Sequence, residues 1–253
     1  MINNKILFYI LIIFNTTNIW AKQTVCISLG DACGPAIMLR NLKIRYEAFP
    51  FDWTVSPFDG LYAALTSDFA YFLEDLTIRP GGQGVIDHYG IHFTHDWPTV
   101  HNPHINPLNA DFVPNCQLFH EWEKALPAVK EKYRRRIERL RAMCESQNRI
   151  IFIRSGTFKS EDEAIMLRDF FRAKYPDLDF LLIAISHQDN FKTEWNIEGI
   201  KNFHLQRWDD SAGLARILQQ VDPIFNSLRN QDIEIFNSES ELICQECLLK
   251  LTP

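Results

Sequence analysis

The sequence predicts an α/β fold: a single three-layer-like domain on a mostly parallel sheet. Three observations carry this. Ile150–Ile153 and Phe180–Ile185 are unbroken apolar runs with a helix-length segment between them. Such runs mark strands buried on both faces, and their alternation with helices marks parallel pairing. A third run, Thr24–Leu29, ends at Gly30 and leads within a few residues into a helix-type segment opened by Gly34-Pro35. Finally, 46% of residues are hydrophobic and 23% charged, with 19 Phe among 253 residues, which is ample for a buried core.

Taken in order, Thr24–Leu29 is a strand and Ala36–Leu42 a helix, with Pro35 tolerated in its first turn because that amide has no helical acceptor. Phe49-Pro50-Phe51-Asp52-Trp53 is a compact aromatic turn, and a helix begins near Ser56-Pro57. Pro80–Gly84 is a break, Val85–His95 one or two short strands, and Pro98–Pro114 irregular. From Leu118 to Met143, Trp122, Leu126, Val129, Tyr133, Ile137 and Leu140 recur at helical spacing, predicting one long helix bent near Pro127. Arg134, Arg135, Arg136, Arg139 and Arg141 read as its solvated face. Glu161–Lys174 is a helix, Asn202–Leu205 a further strand, and Ser211 opens a last helix.

The first 21 residues differ from the rest. One lysine, the apolar run Ile6–Phe14 and a polar stretch ending at Ala21 follow the order of a signal peptide. The run is too short for the roughly 20 residues of a membrane-spanning helix. The expected organisation is therefore a leader over 1–21 and one catalytic-type α/β domain over 22–253, exported to a periplasmic or secreted location, with no stable membrane span. A formal charge of −6 with mixed signs argues against nucleic acid. Six cysteines in an exported chain allow 15 pairings, yet a working thiol would leave at least one other unpaired. Cys244-Gln245-Glu246-Cys247 fits a local disulfide, a redox pair or an incidental terminal pair, with a structural role preferred.

Active groups in parallel sheets collect beyond the carboxyl ends of the strands. Those positions are Gly30–Cys33, Arg154-Ser155, Ser186-His187 and Trp208-Asp209. Cys33 stands out because a thiol at a helix start faces unpaired amides and the positive end of the dipole, which favours thiolate and offers an oxyanion site. A buried or disulfide-bonded cysteine is the competing reading. The base should be histidine, and five of the eight lie between His88 and His104. His95 is one candidate and His187 the rival. Asp96, next to His95, would point away from it on a strand, so Asp52 in its aromatic turn is the alternative carboxylate. His88 and His92 would share a face only on a helix, no His-Glu-x-x-His occurs, and nucleotide loops are missing. No metal or cofactor is expected.

Ile27–Cys33, Leu39-Arg40 and Pro50-Phe51-Asp52-Trp53 together resemble an uncharacterised family described as papain-like cysteine peptidases. Tyr89–Asp96, Tyr133-Arg134-Arg135 and Phe152–Ser155 resemble it too. The resemblance implies catalytic Cys33 and His95 with Asp52 or Asp96 assisting, a peptide or small acyl substrate, and a papain-like N-terminal part in an α+β arrangement. The sequence departs from papain itself in having no glutamine between Thr24 and Ala32. The leading expectation is a cysteine-dependent hydrolase or acyl transferase. Two alternatives stay open: an exported α/β transferase of another class, acting through Arg154, Ser155 and His187 with Asp209 nearby, and a noncatalytic binding or effector module.

Overall fold

The computed structural model describes residues 23–156, 160–188 and 194–228. The expected leader and the Cys244–Cys247 pair lie outside them. Two four-stranded sheets organise the chain. The first contains β1 (Thr24–Ser28), β6 (Arg149–Gly156), β7 (Asp179–Ser186) and β8 (Ile200–His204), all parallel, in that spatial order. The second is antiparallel and made of two-residue strands: β2 (Thr54–Val55), β5 (His92–Phe93), β4 (Val85–Ile86) and β3 (Thr77–Ile78). The expected parallel sheet is therefore present, but the fold is a single α/β domain of mixed character. Of the one or two short strands expected over 85–95, two form, because Asp87–Gly90 turns back on itself with Gly90 at positive φ.

Side-chain alternation explains why the parallel strands are continuous apolar runs. Ile151, Ile153, Leu181, Ile183 and Ile185 face α1 (Gly34–Asn41) and α5 (Ser211–Val221). Ile150, Phe152, Leu182 and Ala184 face the opposite way, into a core shared with α2 (Phe58–Thr66), α3 (Leu126–Cys144), α4 (Glu161–Lys174) and the small sheet. Both faces are covered, so neither tolerates a polar alternate.

The long helix differs from expectation at its start. Trp122–Ala125 form a 3-10 turn, and α3 begins at Leu126 with Pro127 in its first turn, so the proline starts the helix instead of bending it. Its arginine face is not uniformly solvated either: Arg136 is buried and turned inward. No helix among the described residues is long and apolar enough to cross a membrane.

Phe152 stacks on Phe171 of α4 with ring centroids 4.1 Å apart, joining sheet to helix. Phe152→Ala should cost about 3–5 kcal/mol of unfolding free energy. Urea titration will show this as a lower midpoint with an unchanged slope.

Candidate active site

The turn after β1 is dictated by backbone geometry. Gly30 has φ +73°, and a Cβ there would lie 2.1 Å from Ser56 Oγ, so only glycine fits. Asp31 follows, also at positive φ. Its amide is held by Ser56 Oγ at 3.0 Å. The chain then reverses into Cys33, the residue that caps α1, whose carbonyl accepts from the Ile37 amide. Gly34 is required by close approach, since a Cβ would meet the Trp208 carbonyl at 2.6 Å.

Cys33 is 8% exposed and belongs to a small cluster with Ala36, Ile37 and Trp53, against which Phe112 and Trp208 pack. His95, 2% exposed, borders the same cluster. Its ring stacks on Phe112 at 4.3 Å and meets Trp53 edge-on at 6.4 Å. His95 Nδ1 lies 2.9 Å from the Val113 carbonyl. A carbonyl only accepts, so Nδ1 carries the proton in the neutral ring and Nε2 carries the lone pair.

Neither expected carboxylate takes that position. Asp52 accepts from Arg45 Nε and from the Phe49 amide, both at 2.9 Å. Burial pushes its carboxyl up, against the opposing pull of Arg45 and that amide. Asp96 is fully buried and accepts from Lys132 Nζ and Tyr133 OH, each at 2.8 Å. Burial opposes the Asp96 charge, but Lys132 and Arg136 outweigh it and hold the carboxyl below its ordinary range. The group on His95 Nδ1 is thus a backbone carbonyl. Phe112 and Val113 were not legible as functional, because they lie in an irregular segment without periodicity; the only local signal is an aromatic–aliphatic pair between Asp111 and Pro114.

Asp111 anchors that segment. It accepts from Arg45 Nη1 and Nη2 at 2.8 and 2.9 Å, from Trp53 Nε1 at 3.2 Å and from Arg136 Nη2 at 3.1 Å. Arg40 and Arg45 also lie over the Trp53 ring, 5.3 and 5.2 Å from its centre.

Of the secondary candidates, Ser155 and His187 meet at the carboxyl ends of β6 and β7, and Arg154 and Asp209 have other partners. Arg154 is buried and donates to the Leu29 and Ser56 carbonyls at 2.9 Å and to Asp31 Oδ1 at 3.3 Å. It braces the turn that presents Cys33. Ser155 Oγ lies 2.7 Å from His187 Nε2, and His187 Nδ1 lies 2.9 Å from the Leu205 carbonyl. By the same tautomer argument, the serine hydroxyl donates to His187. Burial is the main reason the His187 imidazole sits below its ordinary value. Asp209 is engaged by Arg207 at 3.0 Å.

The four described cysteines, Cys26, Cys33, Cys116 and Cys144, carry no disulfide. Burial pushes the Cys26 thiol far up, and the Cys144 thiol to about 12. Among the described residues, no group of three or more His, Cys, Asp or Glu could hold a metal ion.

A family model described as "Putative papain-like cysteine peptidase (DUF1796)" matches residues 24–190. The chain belongs to that family. The matched region runs from β1 to just past β7 and includes Cys33, Asp52 and His95. A relative, "Uncharacterized protein R408" of Acanthamoeba polyphaga mimivirus, is 27% identical over 143 residues, or 53% of this chain and 62% of the viral protein. The chain thus spans less than two thirds of that relative's length. No solved structure matches the chain significantly.

Asp96→Asn should cost about 3–5 kcal/mol, because it strands the buried Lys132 ammonium. The folded carboxyl titrates below the unfolded one, so its contribution is complete above about pH 4 and is lost as pH falls through the folded value. Urea midpoints measured between pH 7 and pH 3 should therefore fall more steeply in the wild type than in the variant.

Proposed function

We propose that the chain is a cysteine-dependent acyl-transfer enzyme, in its simplest form a peptidase, with Cys33 as nucleophile and His95 as base. The observation that carries this reading is the shared aromatic enclosure: Cys33 sits at the start of α1 in the Trp53 cluster, and His95 borders that cluster with Nδ1 committed to Val113. Family membership supports the same chemistry.

In the proposed reaction the Cys33 sulfur attacks a substrate carbonyl carbon, and its proton passes to His95 Nε2. The oxyanion is held by first-turn amides of α1, from Gly34 and Ala36, since Pro35 has none. Collapse breaks the acyl–nitrogen bond, and His95 returns the proton to the departing amine. Water, deprotonated by His95, then cleaves the thioester and frees the thiol and the acid. The rings of Trp53 and Phe112 keep bulk water from the imidazole, which strengthens each charge interaction within the enclosure.

Alkylation by iodoacetamide, a reagent small enough for a nearly buried thiol, tests the assignment. Mass spectrometry should show Cys33 modified first, well ahead of Cys26 and Cys144, whose thiols burial keeps protonated. His95→Ala should slow alkylation of Cys33 by about 100-fold, at the lower end of what a positioned base contributes. A Cys33 rate equal to that of half-exposed Cys116, or unchanged by His95→Ala, would remove the thiol reading.

A second reading has one observation in its favour, the 2.7 Å contact between Ser155 Oγ and His187 Nε2. It makes the chain an α/β transferase centred on Ser155, His187 and Arg154. Under it, turnover in a substrate assay is abolished by Ser155→Ala and survives Cys33→Ala, whereas the thiol reading requires Cys33→Ala to abolish turnover.

A further inference from the structure

A cavity of about 690 Å³ opens between the turn joining β3 to β4 and the segment over 99–117. That volume suits a ligand of several residues or a small oligomer. Its chemistry is unusual for a chain with a formal charge of −6. The residues lining it include Arg79, Gln83, Thr99, Asn102, Asn115 and Gln117, with neither Asp nor Glu among those described.

Two groups in the wall lack partners for their chemistry. The Arg79 guanidinium has no acidic partner among the described residues. After burial itself, its charge is also what holds the half-buried His92 imidazole below its ordinary value. Asn115 Oδ1 is buried with no hydrogen-bond donor, while its Nδ2 donates to Gln83 Oε1 at 3.4 Å. A buried acceptor without a donor is costly, and because this oxygen is turned away from solvent, a ligand N–H relieves it only once the Asn115 side chain rotates toward the cavity. The wall therefore asks for an anion at Arg79 and an N–H donor at Asn115. The remaining carboxamides each offer both donors and an acceptor, as the peptide unit does. A simple inorganic anion satisfies only the first demand.

The cavity is also tied to the candidate active site by the chain itself. Phe112 and Val113 hold the His95 ring, and the next residues, Pro114 and Asn115, line the cavity.

We propose that this cavity is a subsite for an acidic peptide segment, with a ligand carboxylate on Arg79 and a ligand amide N–H on Asn115 Oδ1. Its role as a substrate subsite rests on the acyl-transfer reading; binding itself does not.

The probes are two fluorescein-labelled peptides of Gly and Ser with capped ends, one carrying Glu residues and one carrying Lys at the same places. They are titrated by fluorescence anisotropy against the full chain bearing Cys33→Ala, so that no turnover occurs. The acidic probe should bind at least about tenfold tighter than the basic one, and adding Arg79→Gln should remove about that factor. Arg79→Lys should retain part of the preference, and Asn115→Asp, which brings a carboxylate into the wall, should weaken the acidic probe further. Excess inorganic phosphate should leave the bound probe in place. Equal binding of the two probes, no binding of the acidic one, indifference to Arg79→Gln in a variant with unchanged circular dichroism, or displacement by phosphate would each overturn the proposal. None of these results touches the alkylation of Cys33, and slow alkylation of Cys33 would leave the anisotropy result intact, so the two failures are distinguishable.

Discussion

A chain of buried and half-buried charges holds the front half of the molecule together. Lys132 and Arg136 on α3 reach Asp96 and Asp111, Arg45 joins Asp111 to Asp52, and the Trp53 indole hangs from Asp111. Each ion in such a cluster loses hydration on burial, and it is tolerable only while its partners stay in place. The consequence is positional. Four separate segments (the turn at 45–53, the end of β5, the strap at 111–113 and the face of α3) are tied into one arrangement. The small sheet, with strands two residues long, could not do this by hydrogen bonding alone.

That network explains why the two aspartates expected to orient the histidine are not on the imidazole. Asp52 and Asp96 serve as anchors for cations, and the ring they might have oriented is held by the Val113 carbonyl. A neutral acceptor fixes the tautomer without adding a negative charge beside the imidazole. Carboxylates position the strap, and the strap positions the histidine. Trp53 belongs to both systems, with one edge on Asp111 and its face beneath two guanidinium groups.

The parallel sheet was legible because its runs over 150–153 and 180–185 have one interpretation: buried on both faces, they can only be central strands. The Cys33 turn was legible for a similar reason, since Gly30 and Pro35 constrain the backbone locally. The small sheet was less so, because two-residue strands have no period to detect. Arg136 was misread as solvated because its inward turn depends on Asp111, which is distant in sequence. Phe112 and Val113 were invisible for the same reason, as their importance comes from what folds against them. Likewise the pairing of Ser155 with His187 follows from the register of β6 and β7, although each position was anticipated at a strand end.

The parallel order of the first sheet also bears on how the molecule comes into being. β1 has one neighbour, β6, and Val25 pairs with Ile150 across 125 positions of chain. During synthesis the strand that leads into Cys33 is among the first described segments to leave the ribosome, yet its hydrogen-bonding partner does not exist until more than a hundred further residues have been added. The Trp208 carbonyl that abuts Gly34 arrives later still. For that interval the thiol is borne on an unfinished edge, open to oxidants and to stray pairing, and its enclosure is among the last things the growing chain acquires.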